Sequence, residues 1–360
     1  MVQYIAIGEY KMGISISALK GFLLEEALSK LLENSGYTLI NKDVLNHRDK
    51  YPEFVPQGNG LNIKGRGGTH QADVLGQFPI SIPFNYPVRL FVEAKFRNKK
   101  TGIDVVRSGI GILTDLNANY QTIDLNGDEL LIQRFNYQYA IFSTSGFSEN
   151  AIRLAIAYKI TLIDLGGREY SDLLNIIDAI AQELLDMMQV HRISLNDVRE
   201  YIRHILFNDR LIGNGNEKEN YECLEYIFRP LFKIIDEYGD LYLASINSPF
   251  SILIKPSSPD LFRSFIGNVG KSTFEVRINW YDNEPEMWEI RLFDNRFDEL
   301  IFKFYLPELI KQYVFNRPNV LVNALNAKEQ FFGSMIFYMR SAEKFITFKY
   351  IPSDLIKRHG

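Results

Sequence analysis

Residues 64–76, KGRGGTHQADVLG, and residues 89–100, RLFVEAKFRNKK, decide how this chain is read. A β-strand turns successive side chains to opposite faces. A strand through the second segment therefore puts Glu93 and Lys95 on one face and Leu90, Val92, Ala94 and Phe96 on the other, toward a core. Asp73 ends a glycine-rich approach 20 residues before Glu93. Two carboxylates carried by buried strands suit a hard cation, Mg²⁺ or Mn²⁺, and a neighbouring lysine can orient or deprotonate a water. These are the parts of metal-assisted phosphodiester hydrolysis.

Charge around this stretch points the same way. Between Gly60 and Ile110 there are eight basic residues and three acidic ones, in a chain whose net charge is −4. A basic island around carboxylates suits a phosphate backbone, whose counterions lysine and arginine displace. The plainer reading of the same charges is a solvated, salt-bridged face. Lys64, Arg66, His70, Arg97, Lys99 and Lys100 are the candidate nucleic-acid contacts. His70 would either bond a phosphate or, as a turn histidine, satisfy backbone. Gln71 would meet a metal-bound water or the scissile phosphate, or pair with backbone.

Upstream, apolar residues at Leu24, Ala27, Leu28, Leu31 and Leu32 recur at helical spacing, and Gly36 is placed to end that helix. Glu25 falls at the edge of the apolar stripe, whereas Glu26, Lys30 and Glu33 read as exposed. Tyr37–Leu45 reads as a strand and His47–Asn62, with its Pro and Gly residues, as a loop. Strands follow at Gln71–Gly76 and Arg89–Phe96, joined by a Pro-punctuated loop or hairpin tip. A helix through Val105–Leu116 has Asp104 as its expected cap. Tyr137–Ser143 is a strand, Ser148 caps a helix reaching Tyr158, and Ile160–Leu165 is the last strand. This order gives an α/β unit with a mixed sheet flanked by helices over residues 1–168.

With the elements in that order, the residues resemble the PD-(D/E)xK nuclease superfamily, and within it the Mrr-like restriction endonuclease branch. GFLLEEALSKLLENSGY resembles that branch's opening helix, HQADVLG the strand with the metal-binding aspartate, and VEAKF its second half. YAIFSTSGFSENAIRLAIAYKITLIDL is similar to the closing strand–helix–strand. The resemblance spans about residues 15–165. It implies a restriction-endonuclease-like fold with Asp73, Glu93 and Glu25 as metal ligands, Lys95 as catalytic lysine and Gln71 as an accessory residue. Ala72 departs from the motif, standing where a proline is common. The activity implied is a Mg²⁺- or Mn²⁺-dependent endonuclease on duplex DNA, in restriction or phage defence. The alternatives are a non-cleaving nucleic-acid binder or sensor, or a nuclease for branched DNA or RNA. A homodimer is expected because one such site cuts one strand, and a partner protein of a defence system is a further possibility.

At 360 residues the chain exceeds what one core usually serves. Residues 169–238 read as a helical connector and 239–360 as a β-rich α+β unit for recognition, dimerisation or a protein contact. The last 120 residues contain short aromatic alternating runs, with one helix expected near Pro307–Phe315. FIGNVGKST, residues 265–273, has a phenylalanine where a phosphate-binding loop needs its first glycine, and reads as a loop in which Lys271 could touch DNA. A single cysteine, Cys223, excludes an intrachain disulfide, and no long apolar run suggests a membrane span. A cytoplasmic location is the expectation.

Overall fold

In the computed structural model the described residues are 14–352, apart from 42–50, 58–59, 81–83, 120–121, 124–128, 131–134, 192, 208–217, 239–241, 248–249, 282–283 and 294–298. The first helix, α1 (Ile16–Asn34), starts at Ser15, whose side chain accepts from the Ala18 amide. Gly36 follows at φ +91°, a backbone angle that glycine adopts without strain. The strand expected over Tyr37–Leu45 is seen as β1 (Thr38–Leu39); its part from residue 42 lies outside the described residues.

The expected loop between His47 and Asn62 is not one where it is described. β2 (Phe54–Gln57), β3 (Gly60–Lys64) and β4 (Thr69–Gln71) form a small antiparallel sheet. Pro56 is tolerated because β2 is an edge strand, and Phe54, Leu61 and Ile63 are buried. The Pro and Gly residues mask this alternation in the sequence. Ala72 and Asp73 then separate β4 from β5 (Val74–Gln77), so the strand expected over Gln71–Gly76 is two.

A hairpin joins β5 to β6 (Val88–Lys95). α2 (Ile103–Ala118) follows, with Gly102 at its cap position; Asp104 lies in the first turn and does not cap. A two-residue pair, β7 (Thr122–Ile123) and β8 (Glu129–Leu130), precedes β9 (Asn136–Ser143). α3 (Glu149–Tyr158) is capped by Ser148, which accepts from the Ala151 amide, and leads to β10 (Thr161–Asp164). The main sheet has the order β1-β5-β6-β9-β10, antiparallel up to β6 and parallel beyond. This is the mixed α/β arrangement expected.

β6 is buried on both faces over most of its length. Leu90 and Val92 pack under α1, and Phe91 packs with Val106 of α2 and Ala151 of α3. The sequence reading assigned a core to only one face; the sheet is in fact sandwiched, as parallel strands with helical crossovers require.

Three further helices, α4 (Ser171–His191), α5 (Leu195–Phe207) and α6 (Lys218–Tyr238), lie over α1 and share its core. Their coverage overturns the exposure expected for Glu26, Lys30 and Glu33. Glu26 is 2% exposed and accepts from Arg203 Nε at 3.1 Å, with Arg199 at 3.8 Å. Lys30 is half-buried and donates to the Leu206 carbonyl at 2.7 Å and to Glu33 at 2.6 Å. A helix with neighbours on two sides has no wide solvent face, and its polar residues must find partners.

The remaining chain forms β11 (Tyr242–Ser245), β12 (Ser251–Pro256), α7 (Pro259–Asn268), β13 (Thr273–Tyr281), β14 (Glu284–Leu292) and β15 (Ile301–Tyr305). It ends with α8 (Glu308–Phe315), α9 (Val320–Gln330), β16 (Ser334–Met339) and β17 (Lys344–Tyr350). The strands close a barrel in the order β11-β12-β15-β14-β13-β17-β16. Phe262 of α7 packs edge-on against Phe302 inside it, with ring centroids 4.8 Å apart. α7 and α9 were not foreseen. FIGN is the end of α7 and KST enters β13, a helix-then-strand order opposite to that of a phosphate-binding loop. The barrel leans on α1 through Arg340, which donates to Glu33 at 3.3 Å and Asn34 at 3.1 Å.

Replacing Glu26 by Ala would leave two half-exposed arginines facing an apolar helix junction. The expected loss is about 2 kcal/mol, discounted from a fully buried pair because the arginines keep water contact. Urea unfolding of the Glu26→Ala variant measures it.

Candidate metal and phosphodiester site

The site begins with a break in a strand. Asp73 occupies the bend before β5. Its amide donates to the Val92 carbonyl at 3.2 Å, and its carboxylate accepts from the Ala94 amide at 2.7 Å. The side chain thus takes the place of a ladder partner on β6 and is held beside the residues flanking Ala94, which are Glu93 and Lys95. Those two form an ion pair. The other Glu93 oxygen accepts from the Tyr139 hydroxyl at 3.2 Å.

Tyr139 comes from β9, stacked on Phe91 with centroids 5.0 Å apart and planes 14° from parallel. The ring fits because α2 has Gly109 opposite it; a Cβ there would lie 2.8 Å from Tyr139 Cε1. Burial, then the Glu93 charge, pushes the phenol upward, so it stays a neutral donor at physiological pH.

Glu25 of α1 completes the acidic set. Its pKa is pushed up to about 7, chiefly by burial and then by the charge of Asp73, with Arg199 of α5 opposing. Asp73 is pushed up to about 6, by burial first and Glu93 second, against the Ala94 amide and Lys95. Glu25 therefore feels the charge of Asp73, and Asp73 that of Glu93, in a poorly hydrated place. Glu25, Gln71 and Asp73 line one cleft of about 810 Å³, walled by α1, α5 and the β16–β17 edge of the barrel. Gln71 is exposed at its mouth.

The donor chemistry fits a hard divalent cation: carboxylate oxygens, with more negative charge than one lysine offsets. Among the described residues, however, no three ligating side chains are gathered tightly enough to form a ready-made cage. Glu93 is turned to Lys95 and Tyr139, so a bound ion would draw it away from the lysine.

The basic candidates separate into two groups. Arg97, Lys99 and Lys100 are exposed in the turn after β6, close to Lys95. Lys64 at the end of β3, Arg66 in the glycine-rich turn and His70 in β4 belong to one hairpin, which is tied to Asp115 of α2. That carboxylate accepts from the Gly67 amide at 2.7 Å and the Gly68 amide at 3.1 Å, and pairs with His70 Nε2 at 2.7 Å. The pairing with His70 holds the Asp115 carboxyl below the ordinary carboxylate range. Gly65 is needed for space, since a Cβ there would lie 2.0 Å from Asp115 Oδ2. None of Gly65, Gly67 or Gly68 has a positive φ. Asp115 lies twelve residues beyond the start of α2. At 1.5 Å per residue the two basic groups are roughly 18 Å apart along it.

Tyr139, Arg199 and Asp115 were not foreseen. Each is brought in by β9, α5 or α2, and nothing local in the sequence marks them.

No family model matches the chain, and no curated protein matches it. Among solved structures it is similar to the crystal structure of a protein of unknown function, AF1548. The identity is 15% and the TM-score 0.32, over 60% of this chain and 98% of that one.

The raised Glu25 carboxyl links stability to pH. Its folded pKa of about 7 lies above the ordinary 4.5, so the folded state holds an extra proton between these values. Stability is greatest below the lower value and declines as pH rises through the upper one. In chelator at pH 8, Glu25→Gln should therefore be more stable than wild type by roughly 2–3 kcal/mol, a gain that vanishes toward pH 4. Urea titrations across pH check the sign. Mn²⁺ should stabilise wild type more than the variant.

Proposed function

We propose that this chain is a metal-dependent nuclease that hydrolyses DNA phosphodiester bonds, with a restriction-endonuclease-like α/β core. The observation carrying this reading is the Ala94 amide bond to Asp73, which sets that carboxylate beside Glu93 and Lys95 on the strand where the sequence motif expects them. Asp73, Glu93 and Glu25 would hold Mg²⁺ or Mn²⁺. When bound, the ion would polarise the phosphate and neutralise charge developing on it.

The protein's own residues supply the rest. Lys95, released from Glu93, orients the attacking water and offsets charge in the transition state. The Tyr139 hydroxyl holds Glu93 in one rotamer by a hydrogen bond that needs no ionisation. Gln71, exposed beside Asp73, contacts the water or the phosphate. Arg97, Lys99 and Lys100 take neighbouring phosphates, and Arg66 takes another at the far end of α2. The basic residues sit outside the acidic cleft, which keeps them available to a polyanion. Cutting both strands of a duplex would take two copies of the chain or two successive events. A role in restriction or phage defence follows from the sequence resemblance alone.

A second reading is a nucleic-acid binder or sensor that does not cut. It is favoured by the closed Lys95–Glu93 pair and by the lack, among the described residues, of a compact three-ligand group.

Incubating plasmid with the purified chain, with and without Mg²⁺ or Mn²⁺, separates the two. The expected result is metal-dependent nicking or linearisation that Lys95→Ala and Asp73→Ala each reduce on the order of 10²–10³-fold. Cutting by Lys95→Ala at the wild-type rate would remove the site assignment. Binding without cutting in either metal would favour the second reading.

A further inference from the structure

The outer wall of the barrel carries charge in an arrangement that the fold itself does not favour. In a closed barrel, residues alternate between inside and outside. Ile254, Val276, Ile278, Ile290, Phe302 and Phe348 are buried and face the core. Between them, Lys255, Arg277, Lys303 and Lys349 are exposed on the outer wall, and Arg291 is half-exposed.

The register sets like charges directly opposite each other twice. Lys255 of β12 faces Lys303 of β15, and Arg277 of β13 faces Arg291 of β14. Directly opposed like charges on neighbouring strands are destabilising. Two carboxylates share the wall: Glu289 is 5% exposed and bonds Arg291 at 3.2 Å, and Glu275 lies opposite Lys349. Glu289 also stands opposite Lys303 in the register, and among the described residues no ion pair joins a carboxylate to the ammonium of Lys255 or Lys303. On the β13 side Phe293, 40% exposed, has the Arg277 guanidinium 4.4 Å from its ring centroid. Of the residues named on this wall, five are cations and two are carboxylates, and an exposed aromatic ring stands with them, inside a chain of net charge −4.

We propose that this wall, across β12, β15, β14 and β13, is a phosphate-backbone contact surface for nucleic acid, separate from the cleft at Asp73. Lys255 and Lys303 lie abreast on β12 and β15, and Arg291 and Arg277 abreast on β14 and β13, the second pair offset by one side-chain step because Glu289 is the residue opposite Lys303; a duplex presents phosphates along such a diagonal. The repulsion within each pair is relieved when a phosphate sits between its members. Binding of this kind is independent of base sequence and weakens steeply with salt. The exposed Phe293 ring, already stacked by Arg277, suits a base or sugar face at an unpaired end. The inference rests on the nucleic-acid part of the function proposed above and not on its chemistry.

The test uses the full chain carrying Lys255→Glu and Arg277→Glu. Each reversal converts a repelling pair into an attracting one, so the melting temperature should be equal or higher while binding falls. Fluorescence anisotropy with a labelled duplex, in EDTA at about 50 and 200 mM salt, should show roughly tenfold or greater weakening at the lower salt and a shallower salt slope. Unchanged affinity and slope would overturn the proposal, and so would equally tight binding of polyglutamate, which would assign the wall to an acidic partner. If the reversals lower the melting temperature, Lys255→Gln with Lys303→Gln decides by the same criteria. The two readings fail separately. Wild-type binding through this wall with no cutting in Mg²⁺ removes the nuclease and leaves the surface. Cutting and binding by the double variant at wild-type levels removes the surface and leaves the nuclease.

Discussion

One hydrogen bond organises the candidate site. The Ala94 amide, at the outer end of β6, donates to the side chain of Asp73 where an ordinary sheet would offer a main-chain carbonyl. The bond satisfies a backbone donor and fixes a carboxylate in one step. Because β6 lies between β5 and β9, its position is set by pairing on both sides, and Asp73 inherits that rigidity. Glu93 is fixed in turn by Lys95 on its own strand and by Tyr139 from the next. Burial then raises the carboxyls of Asp73 and Glu25, so the folded protein carries acidic charge that it accommodates poorly without a cation.

The elements legible in the sequence are those whose signal is local. The alternation of β6, the Ser148 cap and the long amphipathic helices are visible because spacing and capping chemistry act over a few residues. The missed elements depend on distant partners. β2 and β3 are hidden by Pro56 and the glycines, which are acceptable only because that sheet has an edge there. Glu26 looks like a solvent residue until α5 is laid over it, more than 170 positions later in the chain. The same holds at the site. Asp73, Glu93 and Lys95 come from two adjacent strands and can be read together. Tyr139 and Arg199 enter from β9 and α5, and only the assembled sheet and helix layer show where they land.

The barrel illustrates what neither periodicity nor composition conveys. Short alternating runs announce strands, but closure depends on register between segments up to about a hundred residues apart, such as β11 with β16. Closure also defines inside and outside. Lysines and arginines scattered along the sequence become neighbours on one wall, while Phe262, Phe302 and Phe348 become a filled interior. A charge pattern with no meaning along the chain acquires one in the sheet.

β6 turns Leu90, Val92 and Ala94 toward α1, and Phe91, Glu93 and Lys95 to the opposite face. Shifting its pairing by a single position would bring Val92 to the face of the Lys95–Glu93 pair and force Glu93 beneath α1, away from its lysine. A misaligned sheet is therefore penalised by a charge buried in grease. Glu93 thus acts as a proofreader of strand alignment, so that a chain able to complete its fold has Glu93 and Lys95 together on the face away from α1.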